Sequence, residues 1–233
     1  MKEELSRSAM LLGEAAVEAL SKARVAVFGI GGVGGYAVEA LARAGVGGLD
    51  LIDNDTVSLS NINRQLIATH STVGQPKTAV AAARVADINP DCTVRTHDLF
   101  FTPETPFDLS VYDYVVDAID TVSAKLALVE RCTALGVPII CSMGTGNKLD
   151  PAQFEVADIS KTSVCPLAKV MRVELRKRGI SHLKVVYSRE QPQGAVLDQN
   201  GRRAPGSVSF VPGAAGLLLA SEVIKDLVKG MTV

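Results

Sequence analysis

Arg24-Val25-Ala26-Val27-Phe28-Gly29-Ile30-Gly31-Gly32-Val33-Gly34 is the stretch on which the fold of this 233-residue chain turns. A short β-branched run that ends in glycine reads as a buried strand of a parallel sheet. Residues 33–44 carry helical periodicity, so Gly29, Gly31, Gly32 and Gly34 sit on a strand-to-helix turn. A backbone free of Cβ atoms turns tightly there and approaches a phosphate, and the N–H groups opening the helix donate to the anion. Residues 48–53 (GLDLID) form a second strand closed by Asp53, placed 24 residues after Gly29, where a carboxylate accepts bonds from ribose hydroxyls. This pattern alone fits a nicotinamide-linked dehydrogenase as well as an ATP site. Glycines serving only helix–strand packing are the plainer alternative.

Outward from that turn, strand and helix alternate. A helical face spans 5–20, and an Ala-rich helix runs from Pro76 to Ile88. Strands are expected at 92–97 and 112–119, then a helix at 122–135 and a strand at 137–141. Alternation of this kind predicts an α/β fold: an open, mostly parallel, Rossmann-like sheet with helices on both faces. Residues 144–166 read as a long connection, of a length usually tied to function. A helix at 166–178, a strand at 183–188, a loop at 189–207, a strand at 207–210 (SVSF) and a helix at 213–228 close the chain. One domain over 1–233 is expected, with a nucleotide part at 22–147 and a substrate-side extension at 148–233.

Hydrophobic residues make up 47% and charged residues 21%, which excludes a disordered chain. With 24 basic and 25 acidic residues the formal charge is −1, which excludes a uniformly basic nucleic-acid binder. Cysteines at 92, 132, 141 and 165 form no CxxC pair, so neither a zinc knuckle nor a dithiol motif is supported. A reduced, cytoplasmic protein is the expectation. The N-terminus is broken by charges and no long apolar window follows, so no membrane association is expected.

The residues after Asp53 separate the two nucleotides. Asp55, Asn61, Arg64 and Gln65 follow it closely, and Lys77 comes after Gly74-Gln75-Pro76. A triphosphate carries more charge than a dinucleotide's pyrophosphate and calls for cations beside the backbone N–H groups. Arg64 offers a guanidinium fork and Lys77 a point charge. Asn61 and Gln65 donate without charge. Asp120 ends the strand at 112–119, where open α/β sheets bind ligands, and suits Mg²⁺; a helix cap is its plainer role.

Together the glycine turn, Asp53, the SxxNxNRQ run (Ser58 to Gln65), GQPK (Gly74 to Lys77) and DAIDT (Asp117 to Thr121) resemble the ThiF/MoeB/HesA and ubiquitin-activating superfamily. The resemblance implies ATP·Mg²⁺ binding and transfer of AMP to a carboxylate, with pyrophosphate released. It assigns Asp53 to ribose, Asn61, Arg64 and Lys77 to phosphates, and Asp120 to the metal, with Asp55 and Gln65 assisting. It also implies a homodimer in which Arg7 reaches the neighbour's nucleotide; an exposed charge on an amphipathic helix is the other reading of Arg7.

Within that superfamily the missing CxxC pairs argue against the zinc-bearing branch that activates sulfur carriers, so no zinc is expected. Cys165 is either a nucleophile flanked by Lys161 and Lys169 or, by the simpler reading, a buried thiol. The segment Asp150-Pro151 to Thr162, followed by Pro166-Leu167-Ala168-Lys169, resembles the tRNA threonylcarbamoyladenosine dehydratases (the TcdA/CsdL group). That resemblance implies activation of the modified base's carboxylate, ring closure and release of AMP. The second reading is an adenylyltransferase acting on the Gly-Gly end of a carrier protein; a sulfur-transfer partner fits either. A dehydrogenase is disfavoured by the lack of a hydride-transfer acid, and a module that has lost its chemistry by the completeness of the phosphate-binding set.

Charge is unevenly spread. Residues 161–189 hold eight basic residues against Glu174, a net of +7, whereas residues 1–160 hold 12 basic and 20 acidic, a net of −8. Lys161, Lys169, Arg172 and Arg176, extended by Arg202 and Arg203, are the candidate contacts to a tRNA backbone. A solvated helix face is the alternative.

Overall fold

The computed structural model describes residues 2–194, 196–197 and 203–231. In chain order its elements are α1 (Ser6–Leu12), α2 (Glu14–Lys22), β1 (Arg24–Phe28), α3 (Gly34–Arg43), β2 (Gly48–Ile52), α4 (Lys77–Ile88), β3 (Thr93–His97) and β4 (Tyr114–Asp117). There follow α5 (Val122–Leu135), β5 (Ile139–Ser142), β6 (Phe154–Asp158), α6 (Pro166–Lys177), β7 (Lys184–Ser188), β8 (Val196–Leu197), β9 (Arg203–Ala204) and α7 (Phe210–Leu227). Seven strands form one sheet in the order β3-β2-β1-β4-β5-β7-β6. All neighbours are parallel except β6, which runs antiparallel to β7 at the edge.

β1 lies in the interior of the sheet because it is apolar on both faces. Val25 and Val27 point into a core built with Leu41 of α3, Val85 of α4 and Leu219 of α7. Ala26 and Phe28 point the other way, against Phe101 and against Leu128 and Cys132 of α5. Burying each of Val25, Val27 and Phe28 contributes about 1.5–3 kcal/mol, so both helical layers are fixed to one five-residue strand. A further cluster packs Met171 and Leu175 of α6 on Cys141, Val185 and Tyr187.

The expected α/β architecture holds, with four local differences. The two-residue strands β8 and β9 pair antiparallel within the stretch expected as a loop at 189–207. The helix at 5–20 is two helices, broken where Gly13 takes φ 89°. The connection at 144–166 contains β6, whose Phe154 and Val156 face the main core while Glu155 accepts from the Tyr187 hydroxyl at 2.5 Å and from Arg189 at 2.8 Å. Its period-two alternation covers a strand too short to stand out among polar residues. No strand forms at 207–210: Phe210 opens α7, whose first turn accommodates Pro212 because a residue there needs no N–H donor for a helical bond. Among the described residues no helix is long and apolar enough to cross a membrane.

Candidate active site

A cavity of about 750 Å³ opens at the carboxyl ends of β1, β2, β4 and β5. Its floor is the glycine turn. Gly29 takes φ +86°, and a Cβ there would sit 2.7 Å from the Ala118 carbonyl oxygen; a Cβ on Gly34 would sit 1.8 Å from that of Gly29. Asp53 locks this turn to the end of β2: one carboxylate oxygen accepts from the Ile30 N–H at 2.7 Å, the other from the Asp55 N–H at 2.8 Å. Each oxygen keeps a second lone pair for a ligand hydroxyl.

The chain beyond β2 folds back on α4. A bridge pairs Thr56 with Pro76, and the Lys77 N–H donates to the Asp55 carbonyl at 3.0 Å. Lys77 is thereby buried, with Nζ 2.6 Å from the Asp55 carboxylate and 3.9 Å from that of Asp53. Buried Asn61 accepts from the Ser58 N–H through Oδ1 at 3.0 Å, which leaves its NH₂ as a donor. Gln65 is buried beside Gly31, and its Oε1 has no partner among the described residues. Arg64 is half-buried with its stem against Gly32; its guanidinium donates to the Ser60 carbonyl at 3.0 Å and Asn63 Oδ1 at 2.9 Å. Asp120 is exposed on the turn after β4 and lines the cavity. The capping role does not apply to it, since Thr121 is the N-cap of α5 and no side chain caps that helix.

Thus Gly29, Gly31, Gly32, Asp53, Asp55, Asn61, Arg64, Gln65, Lys77 and Asp120 line one cavity, with Gly34 directly beneath the turn. Arg7 does not: it is exposed on α1, away from the cavity of its own chain. Cys165 is buried at the N-cap of α6 and lines the cavity.

The basic block is less free than its charge suggests. Lys177 and Arg178 pair with Glu174, Arg178 also with Glu130, Lys184 with Glu222 and Asp226, and Arg189 with Glu155. Arg172 donates to the Thr162 carbonyl at 2.9 Å and hydroxyl at 2.6 Å, tying α6 to the preceding turn. Lys161, Lys169 and Arg176 are exposed and have no carboxylate partner among the described residues. Arg202 lies outside those residues.

Two features escaped sequence reasoning. Lys125 and Asp117 form a fully buried ion pair at 2.8 Å beneath the Asp120 turn. A lysine in the first turn of a helix opposes the helix dipole, and that was the available signal. The second is Lys148, buried on the β5–β7 side of the cavity, whose Nζ donates to the Glu190 carbonyl at 2.8 Å. Burial lowers its pKa below the ordinary lysine value, against the opposing influence of Cys165 and Glu190. Its loop is fixed by Glu190, whose carboxylate accepts from the Leu149 and Asp150 N–H groups at 2.8 and 2.9 Å. Asn147, at φ 59°, donates to and accepts from Gly206 and accepts from the Gln193 N–H.

A glycine turn at the carboxyl end of a parallel sheet, faced by an acid and two cations, defines a nucleotide-binding α/β protein. Residues 5–232 match the sequence profile described as the ThiF family, and the chain belongs to that family. A tRNA threonylcarbamoyladenosine dehydratase of Bacillus subtilis (strain 168) is 43% identical over 251 residues, spanning 100% of this chain and 98% of that one. The E. coli tRNA N6-threonylcarbamoyladenosine dehydratase, TcdA, in complex with ATP superposes with a TM-score of 0.85 at 35% identity, covering 97% of this chain and 93% of that one. The same E. coli protein in complex with AMP gives 0.84 at 36% identity, covering 95% and 92%.

Proposed function

We propose that this chain is an ATP-dependent tRNA threonylcarbamoyladenosine dehydratase. The observation that carries the reading is identity of 43% along the full chain to a protein of that name, spanning 98% of the relative's length. The cavity's make-up supports it. The base's carboxylate attacks the α-phosphorus, the bond to the pyrophosphate oxygen breaks, and pyrophosphate leaves. A carbamoyl group of the same base then closes on the activated carbonyl and expels AMP, a net loss of water. Neither step calls for a protein nucleophile; positioning and cationic stabilisation do most of the work. In this reading Asp53 takes the ribose, the glycine turn, Asn61, Arg64 and Lys77 the phosphates, and Asp55 holds Lys77 in place. Gln65 supplies a buried amide at the turn.

Mg²⁺ fits Asp120. Among the described residues no three His, Cys, Asp or Glu side chains group around one point, and Mg²⁺ is commonly held by one or two carboxylates together with substrate phosphates. Bound there, the ion would neutralise charge gathering on the leaving pyrophosphate.

The test is AMP and pyrophosphate release from ATP, measured with tRNA bearing threonylcarbamoyladenosine and separately with a Gly-Gly-ended carrier. Release with the tRNA is expected; release with the carrier alone would replace this reading by the sulfur-carrier one.

For tRNA, we assign Lys161, Lys169 and Arg176 to the phosphate backbone, because their charges are exposed and uncommitted. Replacing all three by alanine should lower the slope of log affinity against log salt by up to about 3, roughly 1 for each cation removed from a phosphate. An unchanged slope would reject the face. A homodimer, with Arg7 reaching the partner's cavity, fits the 81% and 82% exposure of Met10 and Leu11 on the same helix. Changing both to aspartate should shift the mass in solution from twice 24.5 kDa to 24.5 kDa. Action on tRNA would place the protein in the cytoplasm.

A further inference from the structure

Three basic residues line the cavity among the described ones, and they are not alike. Lys77 is committed to Asp55, and Arg64, half-buried, stands at the glycine turn. Both belong to the β1–β2 side. Lys148 comes from the opposite side and is 3% exposed, and among the described residues no carboxylate lies within salt-bridge distance of it. Its one protein partner there is a neutral carbonyl, so two of its three N–H donors remain for a ligand. The carboxylate of Glu190, on the chain that leaves β7, is taken up by the Leu149 and Asp150 N–H groups.

A buried ammonium without a counter-ion is costly to keep, and the surrounding chain is organised to keep it. Asn147 ties the segments at 147, 193 and 206 together by three hydrogen bonds immediately before it. Adenylation demands such a group. The carboxylate must approach an α-phosphate that is already anionic, and the function proposed above gives the cations of the β1–β2 side to the phosphates.

We propose that Lys148 is a catalytic residue that receives the substrate's carboxylate and holds it for attack on the α-phosphorus. It carries no covalent step: the carboxylate oxygen bonds to phosphorus as the bond to pyrophosphate breaks, and the ammonium keeps its proton. This rests on the adenylation reading above.

Lys148→Met, which retains the apolar stem, is compared with wild type in ATP binding without tRNA and in AMP formation with the modified tRNA. ATP affinity should stay within about twofold while kcat falls by about 100-fold or more, with little change in the KM for tRNA. Lys148→Arg should recover part of the loss. Turnover of Lys148→Met within about threefold of wild type overturns the assignment, and so does an equal loss of ATP binding and turnover, which marks a structural role. Should Lys148→Met fail to fold, Lys148→Gln, which keeps a donor for the Glu190 carbonyl, is judged by the same criteria. A wild type that forms no AMP with this tRNA removes the proposed function and the assignment with it; an active wild type beside an indifferent variant removes the assignment alone.

Discussion

Arg64→Ala should lower tRNA-dependent AMP formation by about 10²–10³-fold, the usual loss when one preorganised electrostatic contact to a transition state is removed. The size follows from how the side chain is held. Its acceptors in the free protein, the Ser60 carbonyl and Asn63 Oδ1, are neutral, so the full charge is available to phosphate oxygens. Those same bonds fix the guanidinium in advance, which limits the entropy lost on binding. Because the side chain is half-buried and ion-paired with nothing among the described residues, its removal should shift the melting temperature little. A variant that melts like wild type and still forms AMP at the wild-type rate would remove Arg64 from the mechanism.

Gly34→Ala should damage both stability and nucleotide binding. The new methyl would lie 1.8 Å from the Gly29 carbonyl oxygen, a backbone atom that cannot rotate away. Relief requires moving the turn, and the turn is held by Asp53 through Ile30. Overpacking of this kind costs roughly 1–3 kcal/mol or more. For a chain of this length that corresponds to a fall in melting temperature of roughly 2–12 °C, taking about 2–4 °C per kcal/mol. ATP binding should be lost as well. The neighbouring Gly35→Ala is the control: nothing lies within 4 Å of its Cβ and it sits in a helix, so it should melt at or slightly above the wild-type temperature. Equal melting of the two variants would refute the steric account.

The nucleotide side of the cavity was legible in the sequence because it is built locally. The glycine turn, Asp53 and the run to Lys77 lie within about 50 residues, and the spacing of each is tied to one turn, so their meeting in one cavity could be read locally. The opposite side was not. Lys148 is an ordinary lysine until Asn147, Gln193, Glu190 and Gly206 meet around it, and nothing in the sequence announces contacts across 40–60 residues. The same distance hid the neutralisation of the basic block. Lys184 read as a free cation because Asp226 is remote in sequence. Local charge counting reports what a segment carries, while the fold decides what remains unspent.

β6 is the single reversed strand of the sheet, and it changes what kind of opening the protein has. A parallel strand after β5 would have required a crossover, carrying the chain to the far end of the sheet and back. Phe154 instead pairs with Ser188 at the rim, so the chain that leaves β5 stays there until β6 begins, and the chain that leaves β7 emerges beside it. Two loops are thus stacked over an edge that would otherwise be bare. A shelf for one ligand becomes a jaw wide enough for two: in the function proposed above, the nucleotide would lie on the fixed half and the second reactant against the half that the reversal supplies.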